Sequence, residues 1–186
     1  MRIIGGTLGG RRIDPPARMP HTRPTTDRAR EGLFNILANR VDFEGLRCLD
    51  LFAGTGCTGF ELSSRGAAPV VAVEKDPAMH AFIGRTALAL GLAAHEAVKA
   101  DAFRYLANGP DPFDLIVADP PYALAGIGRL PDIILGTGRL NPDGYLVIEH
   151  DAPDRFLTHP HLTLQRAYGD TVFSFFRHPA PGGDEA

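Results

Sequence analysis

The sequence predicts an α/β fold, with a doubly wound and mostly parallel sheet that ends in an antiparallel hairpin. Three observations predict it. From residue 46 onward, short apolar runs alternate with helical stretches, as in a parallel sheet that is covered by helices on both faces. A glycine-rich turn follows the first apolar run, at the position where such sheets bind ligands. The last two apolar runs flank Tyr168-Gly169-Asp170, a sequence typical of a tight antiparallel turn.

The elements can be placed in chain order from hydrophobic spacing and from turn residues. A small hairpin is expected over residues 2–13. A helix is expected after Thr26, whose side chain can accept a hydrogen bond from the first helical turn. Strands are predicted at residues 47–52, 70–74, 97–100, 115–118 and 145–149, with helices at 59–64, 78–90, 103–107 and 127–135. The closing hairpin is predicted to pair residues 162–167 with residues 171–177.

Length and composition indicate one core and three segments. The 186 residues are 44% hydrophobic, which is enough for one α/β domain, predicted at residues 23–178. A basic hairpin and a proline-rich linker precede it at residues 1–22, and a flexible Pro/Gly-rich tail follows at residues 179–186. Apolar runs are too short to cross a bilayer and no signal peptide is evident, so a cytoplasmic location without membrane contact is expected. A monomer is expected as well. The scattered cysteines and histidines predict no metal site.

Positive charge is concentrated at the N-terminus. The first 40 residues contain eight arginines and three acidic residues, for a net charge of +5, whereas the rest of the chain carries −8. A polyanion is therefore expected to meet the N-terminal segment first. The alternative is a basic arm that is merely solvated. The candidate nucleic-acid contacts are Arg2, Arg11, Arg12, Arg18 and Arg23.

The glycine-rich turn, Gly54-Thr55-Gly56-Cys57-Thr58-Gly59, matches the pattern G-x-G-x-x-G, and Glu74 follows twenty residues after Gly54. Taken alone, this spacing fits nicotinamide dinucleotide binding. However, Asp50 lies inside the preceding apolar run, and a buried carboxylate is costly unless a cation pairs with it. The ammonium group of S-adenosylmethionine is such a cation, and that cofactor has no pyrophosphate. The alternative for Asp50 is a structural carboxylate that caps the turn.

A second motif, Asp119-Pro120-Pro121-Tyr122, follows the apolar run at residues 115–118. It therefore falls at the carboxyl edge of the predicted sheet. The prolines fix the backbone and leave carbonyl oxygens free to accept, and Asp119 adds a further acceptor. These acceptors suit an amino group, while the ring of Tyr122 suits a base stacked on it after leaving its helix. The four residues are the catalytic candidates, although a Pro-Pro turn can also be purely structural.

Together the two motifs resemble the amino-methyltransferases that share a (D/N/S)PP(Y/F) sequence, and the sheet layout is that of the class I, Rossmann-like methyltransferase fold. Residues 2–12, 23–37 and 49–56 narrow the resemblance to the RsmD family, and Arg23-Pro24-Thr25-Thr26-Asp27-Arg28 is the most specific segment. That family methylates N2 of a guanine in 16S ribosomal RNA, conventionally numbered 966. The resemblance implies S-adenosylmethionine as the cofactor and ribosomal RNA, within a small-subunit particle, as the partner.

The resemblance also implies where the cofactor lies. Its methionine end is placed in the glycine-rich turn, with two threonines before the first helix closing over it. Its ribose is placed at the acid that ends the second strand, and its adenine between two further turns. The implied residues are, in that order, Asp50, Phe52, Ala53, Gly54 and Gly56; Thr25 and Thr26; Glu74; and Lys75, Asp76, Asp101 and Ala102.

Three alternatives stay open at this point. The first is a base amino-methyltransferase with another target, such as adenine N6 in DNA or RNA, although no large segment for reading a DNA sequence is evident. The second is a nicotinamide-dependent oxidoreductase, which the glycine pattern alone permits. The third is a nucleic-acid-binding module that keeps the fold without turnover, against which the intact Asp119 and Tyr122 argue.

Overall fold

A computed structural model describes residues 1–16, 25–109 and 111–178 of the chain. Its centre is one seven-stranded sheet. Strands β1 to β5 pair in parallel, whereas β7 is antiparallel to both β5 and β6. The order across the sheet is β3-β2-β1-β4-β5-β7-β6, which confirms the predicted fold class. The strands are β1 (Cys48–Leu51), β2 (Val70–Glu74), β3 (His95–Lys99), β4 (Phe113–Ala118), β5 (Leu140–His150), β6 (Leu162–Tyr168) and β7 (Thr171–Phe176).

Five α-helices accompany the sheet in the described part of the chain. The first begins after Thr26, whose hydroxyl accepts a hydrogen bond from the Ala29 amide, as predicted. None of the helices there is long and apolar enough to span a membrane. The helices are α1 (Asp27–Ala38), α2 (Cys57–Ser64), α3 (Pro77–Ala89), α4 (Ala102–Asn108) and α5 (Leu130–Gly136), with short 3-10 turns at Gly6–Leu8 and Ile127–Arg129.

Most elements begin and end within two residues of the predicted bounds, and two differ more substantially. Strand β5 begins at Leu140 instead of residue 145, because Leu140 pairs with Phe113 before a register shift. The intervening Asn141-Pro142-Asp143-Gly144 has the composition of a turn, so periodicity alone missed this start. The single helix predicted at residues 127–135 is a 3-10 turn followed by α5, whose first turn contains Pro131. A proline there supplies no amide hydrogen, which suits the start of a new helix.

The sheet is buried on both faces because its central strands are apolar on both. On one face Leu49 and Leu51 of β1 pack with α4 and α5. On the other face Leu115 and Val117 of β4 pack with α1. Between β1 and β4 the strand order reverses, so the crevice beyond their carboxyl ends is where this fold holds ligands. The two chemical motifs of the sequence both end at this crevice.

The N-terminal hairpin packs onto α2 and α3. An antiparallel bridge joins Arg2 to Arg12, and Ile3 and Ile13 are buried in a cluster with Phe60. The carboxylate of Glu61, which is fully buried, accepts hydrogen bonds from the backbone amides of Ile4 and Gly5 at 2.6 and 2.8 Å. The hairpin is therefore held by a charged acceptor as well as by apolar contacts.

Glu61 also pairs with Arg65 at 2.8 Å, and the Arg65 guanidinium lies 4.9 Å from the ring centre of Phe34. We expect Glu61→Ala to lower the free energy of unfolding by about 3 kcal/mol, because it leaves two amides and a half-buried cation without their acceptor. Urea denaturation measures this change. The matched control is Glu31→Ala on exposed α1 surface, expected to stay within about 0.5 kcal/mol of wild type. If Glu61→Ala and Glu31→Ala lowered the free energy of unfolding equally, the role assigned to Glu61 would be contradicted.

Candidate active site

The glycine-rich turn between β1 and α2 has a left-handed backbone. Phe52 has a φ of 62°, which is unusual for a residue with a side chain, and Gly56, the residue before α2, has a φ of 72°. A Cβ atom on Gly56 would stand 2.9 Å from the Ile83 side chain. Gly56 therefore satisfies both a backbone conformation and a close approach. Strained residues of this kind concentrate at ligand sites, and Phe52 stands at the mouth of the crevice.

Asp50 occupies the position in β1 that faces α2. It is 2% exposed, and its Oδ2 accepts a hydrogen bond from the Gly59 amide at 2.8 Å. The pKa of Asp50 is raised to about 7, chiefly because the carboxyl group is buried; the Gly59 hydrogen bond opposes the rise and the charge of Glu74 adds to it. The carboxylate does cap the helix, as one of the two interpretations of this residue requires. One amide does not compensate its desolvation, so a cationic ligand is still favoured there.

Glu74 ends β2 and ties the glycine-rich turn to the next loop. Its Oε2 accepts from the Gly54 amide at 2.8 Å, and its Oε1 accepts from the Asp76 amide at 2.7 Å. Each carboxylate oxygen has a second lone pair, so both can still accept from the hydroxyls of a ribose.

The same contacts separate this turn from a phosphate-binding loop. Phosphate sites need free amides at the start of the helix. Here the Gly54 amide donates to Glu74, the Gly59 amide donates to Asp50, and the Gly56 amide donates to the Ala53 carbonyl at 2.7 Å. With carboxylates in place of a phosphate, the site repels a pyrophosphate and attracts a cation. The geometry thus argues against a nicotinamide dinucleotide and fits S-adenosylmethionine, which carries a sulfonium and an ammonium.

The residues predicted around the adenine follow the ends of β2 and β3, at the starts of α3 and α4. Asp76 caps α3 and Asp101 caps α4, each with its Oδ1 accepting from two amides. Lys75 is exposed and Ala102 is buried. The ring of Phe52 packs edge-on against Phe103, with ring centres 6.1 Å apart. This aromatic pair, which sequence reasoning did not anticipate, joins the glycine-rich turn to the start of α4.

The Asp119-Pro120-Pro121-Tyr122 segment leaves β4 at the predicted edge. The Asp119 amide donates to the Leu51 carbonyl at 3.2 Å, which fixes the segment beside β1. Pro120 is buried and Pro121 is exposed. Burial raises the pKa of Asp119 well above its usual range, and the charges of Glu149 and Asp50 add to the rise. Asp119 and Asp50 therefore belong to one electrostatic site.

Glu149, near the end of β5, is a site residue that sequence reasoning missed. It is 4% exposed, and its carboxylate accepts from the Tyr122 hydroxyl at 3.3 Å and from the Thr25 hydroxyl at 2.8 Å. Burial raises the pKa of Glu149, which the two hydrogen bonds oppose. The signal was available: like Asp119, Glu149 is an acid that follows an apolar run in a parallel strand, and such acids meet at one edge.

A cavity of about 380 Å³ opens beside these groups. Thr25, Thr26, Tyr122 and Glu149 line one side, and the β6–β7 turn lines the other. Both threonines had been predicted to close over the methionine end of the cofactor. Their described contacts place Thr25 against Glu149 and Thr26 at the start of α1, beside the catalytic segment. Burial, with the charge of Glu149, raises the pKa of Tyr122 to about 12, so its hydroxyl remains a donor.

The predicted RNA-binding arginines fall into two groups. Arg11 and Arg12 are exposed at the end of the hairpin. Arg2 is also exposed, but it forms an ion pair with Asp27 at 3.2 Å. Arg18 and Arg23 lie outside the described residues. Across the residues that are described, no group of three or more His, Cys, Asp or Glu side chains is arranged to hold a metal ion.

The sheet order, the closing hairpin and the two motifs at one crevice define a class I methyltransferase. Residues 1–177 match the sequence family described as "Conserved hypothetical protein 95". The chain therefore belongs to this family, which is the RsmD family, as the sequence motifs predicted.

Three similar proteins can be compared with it. The Escherichia coli protein named "Ribosomal RNA small subunit methyltransferase D" is 30% identical over 189 residues, covering 100% of this chain and 94% of that protein. The structure of the Escherichia coli protein yhhF has a TM-score of 0.84 at 30% identity and covers 97% of this chain and 98% of that one. The structure of the Thermus thermophilus 16S rRNA N2 G1207 methyltransferase RsmC, in complex with AdoMet and guanosine, has a TM-score of 0.63 at 25% identity. The match covers 83% of this chain and 44% of that one.

The raised pKa of Asp50 has a consequence for stability. An unfolded chain releases this proton near pH 4 and the folded protein near pH 7, so stability falls between these values and the loss persists above them. We expect Asp50→Asn, which keeps the acceptor for Gly59, to be about 2–4 kcal/mol more stable than wild type at pH 8 and equally stable at pH 4. Urea denaturation without cofactor measures both. The control is Asp42→Asn at an exposed loop, and a pH-independent gap for Asp50→Asn would refute the assignment.

Proposed function

We propose that the chain transfers a methyl group from S-adenosylmethionine to the exocyclic N2 of a guanine in 16S ribosomal RNA, at the position conventionally numbered 966. One observation carries this proposal. The Asp119-Pro120-Pro121-Tyr122 segment and Asp50 stand at the same crevice, so an amino-group site adjoins a site for a cationic cofactor. The E. coli relative is named as a small-subunit ribosomal RNA methyltransferase, which supports the same class of substrate.

The acidic residues of the crevice suit the two charged ends of the cofactor. Asp50 would pair with the ammonium group of the methionine end, and Glu74 would accept from the ribose hydroxyls while holding the Gly54 amide. Asp76 and Asp101 would border the adenine from the starts of α3 and α4. S-adenosylmethionine supplies a methyl group made electrophilic by the sulfonium. The protein supplies alignment and charge placement.

The catalytic segment would hold the amino group of the base. The Asp119 carboxylate and the Pro120 carbonyl accept its two hydrogens, which leaves the nitrogen lone pair directed away from both acceptors. The raised pKa of Asp119 makes its carboxylate a stronger proton acceptor than an exposed aspartate, so Asp119 or water can take the proton after alkylation. Tyr122 would stack on the extruded base.

Two further features support an RNA substrate. The structure of the RsmC relative contains AdoMet and guanosine, and that protein is named for methylating guanine N2 in 16S rRNA. In this chain, Arg11 and Arg12 present positive charge on the hairpin, where they would contact phosphates and position the enzyme. We infer that the particle recognised is a small ribosomal subunit and that the chain acts as a cytoplasmic monomer.

The experiment that tests the proposal is to incubate the protein with labelled S-adenosylmethionine and ribosomal RNA, both free and in small-subunit particles. The methylated nucleotide is then mapped. We expect one N2-methylguanine in 16S RNA. Label on adenine N6, or on DNA alone, would replace the proposal with another base amino-methyltransferase. Cofactor binding without any transfer would favour a non-catalytic module.

Asp119→Ala tests the chemistry. We expect methyl transfer to fall by at least about 100-fold at saturating RNA, since the variant loses an interaction with the reacting amino group. Cofactor affinity, measured by calorimetry, should stay within about threefold of wild type. The control is Asp42→Ala, an exposed aspartate at the opposite edge of the sheet, with expected wild-type turnover. Near-normal turnover by Asp119→Ala would mean that the amino group is held elsewhere.

The arm is tested by the double variant Arg11→Gln, Arg12→Gln. When a phosphate contact is lost, fewer counterions are released from the RNA on binding. RNA binding should therefore weaken, and the slope of log affinity against log salt concentration should flatten by about 1 to 2. The control is Arg85→Gln, Arg104→Gln, which removes equal charge from the exposed surfaces of α3 and α4. If both double variants show the wild-type slope, the arm serves folding or solubility instead of RNA binding.

A further inference from the structure

The cavity beside the catalytic segment has a charged wall. Glu149 is 4% exposed yet lines this cavity, together with Tyr122 and the residues of the β6–β7 turn. Its two carboxylate oxygens are held separately, with Oε2 accepting from Thr25 and Oε1 from Tyr122. Among residues 1–16, 25–109 and 111–178, these two hydroxyls are its hydrogen-bond donors. Each oxygen therefore keeps a lone pair for a further donor.

One contact and one electrostatic effect relate this carboxylate to the amino-group site. Tyr122 lies three residues after Asp119 in the same segment, and its hydroxyl contacts Glu149 at 3.3 Å. The charge of Glu149 also acts directly on Asp119, raising its pKa. Glu149 is therefore placed to meet the ring edge of a base whose amino group Asp119 would hold.

A merely structural role does not account for a carboxylate here. Joining two hydroxyl groups needs no charge, because a glutamine amide can accept from one hydroxyl through its oxygen and donate to the other through its nitrogen. Burial raises the pKa of Glu149 although both hydroxyl groups oppose the rise, so these two hydrogen bonds do not fully offset the cost of burying its charge. A ligand that donates a hydrogen bond to it would supply that compensation.

We propose that Glu149 is the residue that selects guanine, by accepting the hydrogen bond of the ring N1–H while Asp119 and Pro120 hold the adjacent amino group. This inference rests on the proposed function and extends it to base recognition. Guanine carries a donor at N1, beside its exocyclic amino group. Adenine carries a lone pair at N1, which an ionised carboxylate repels. The Glu149 carboxylate that accepts from guanine therefore disfavours adenine.

The test uses 2-aminopurine, which keeps the amino group of guanine but has a lone pair in place of N1–H. RNA that the wild type methylates is prepared with guanine, 2-aminopurine or hypoxanthine at the mapped position. For the wild type we expect kcat/KM on guanine to exceed that on 2-aminopurine by about 100-fold, as for a charged partner left unpaired. For Glu149→Gln this ratio should fall to within about fivefold, because an amide can either accept from N1–H or donate to a lone pair.

Two controls separate this inference from the function on which it rests. Hypoxanthine keeps N1–H but has no amino group, so its methylation by the wild type would overturn the proposed function itself. If guanine is methylated, hypoxanthine is not, and Glu149→Gln keeps the wild-type ratio of guanine to 2-aminopurine, only the role of Glu149 is overturned. Glu96→Gln, the same change at an exposed site on β3, should leave the ratio unchanged.

The ratio also keeps the test decisive if the variant is unstable. Cofactor affinity and a cooperative thermal transition show whether Glu149→Gln is folded. Where it is not, the wild type alone decides, since a guanine to 2-aminopurine ratio near one overturns the proposal. Tyr122→Phe removes one hydroxyl from Glu149 but leaves the carboxylate, so we expect its rate to change while the ratio stays above about 30-fold.

Discussion

Asp50, Asp119 and Glu149 bring three carboxyl groups to one edge of the sheet, and the cost of holding these groups away from bulk water is the constraint on which the site depends. For each of them burial is the largest cause of a raised pKa, and Asp119 responds to both of the others. The three groups lie close together because the carboxyl ends of parallel strands are at the same edge of the sheet. The resulting field favours cations and hydrogen-bond donors and repels phosphates.

The rest of the structure holds these groups in position. Residues of β1 and β4 are packed by apolar side chains from helices on both faces, which fixes the strand ends. Glu74 uses both carboxylate oxygens to set the glycine-rich turn, and Glu61 clamps the N-terminal hairpin onto α2. Acidic side chains therefore serve twice in this molecule. Glu61 and Glu74 hold backbone amides in place, and Asp50, Asp119 and Glu149 give the site its negative charge.

Most of the fold and part of the candidate site could be predicted from local sequence patterns. Continuous apolar runs predicted five parallel strands because burial on both faces leaves no alternation, and Asp50 and Asp119 stood out as charges next to such runs. The start of β5 was missed because its first residues look like a turn. Contacts between distant segments were also missed: Thr25 meets Glu149 across 124 positions, and Arg2 meets Asp27. Such pairs depend on tertiary packing, which periodicity does not encode.

The separation of charge in the sequence follows from the same physics. An acidic crevice can hold a cationic cofactor and a neutral base, but the phosphates attached to that base are repelled by it. The substrate backbone must then be held elsewhere, and the exposed arginines of the hairpin lie on a part of the chain that is basic while the body is acidic. Under the proposed function, a base that leaves its stack would reach Asp119 and Glu149 while its phosphates stay outside the crevice. The charge pattern therefore favours single-stranded or looped RNA, whose bases leave the stack at low cost.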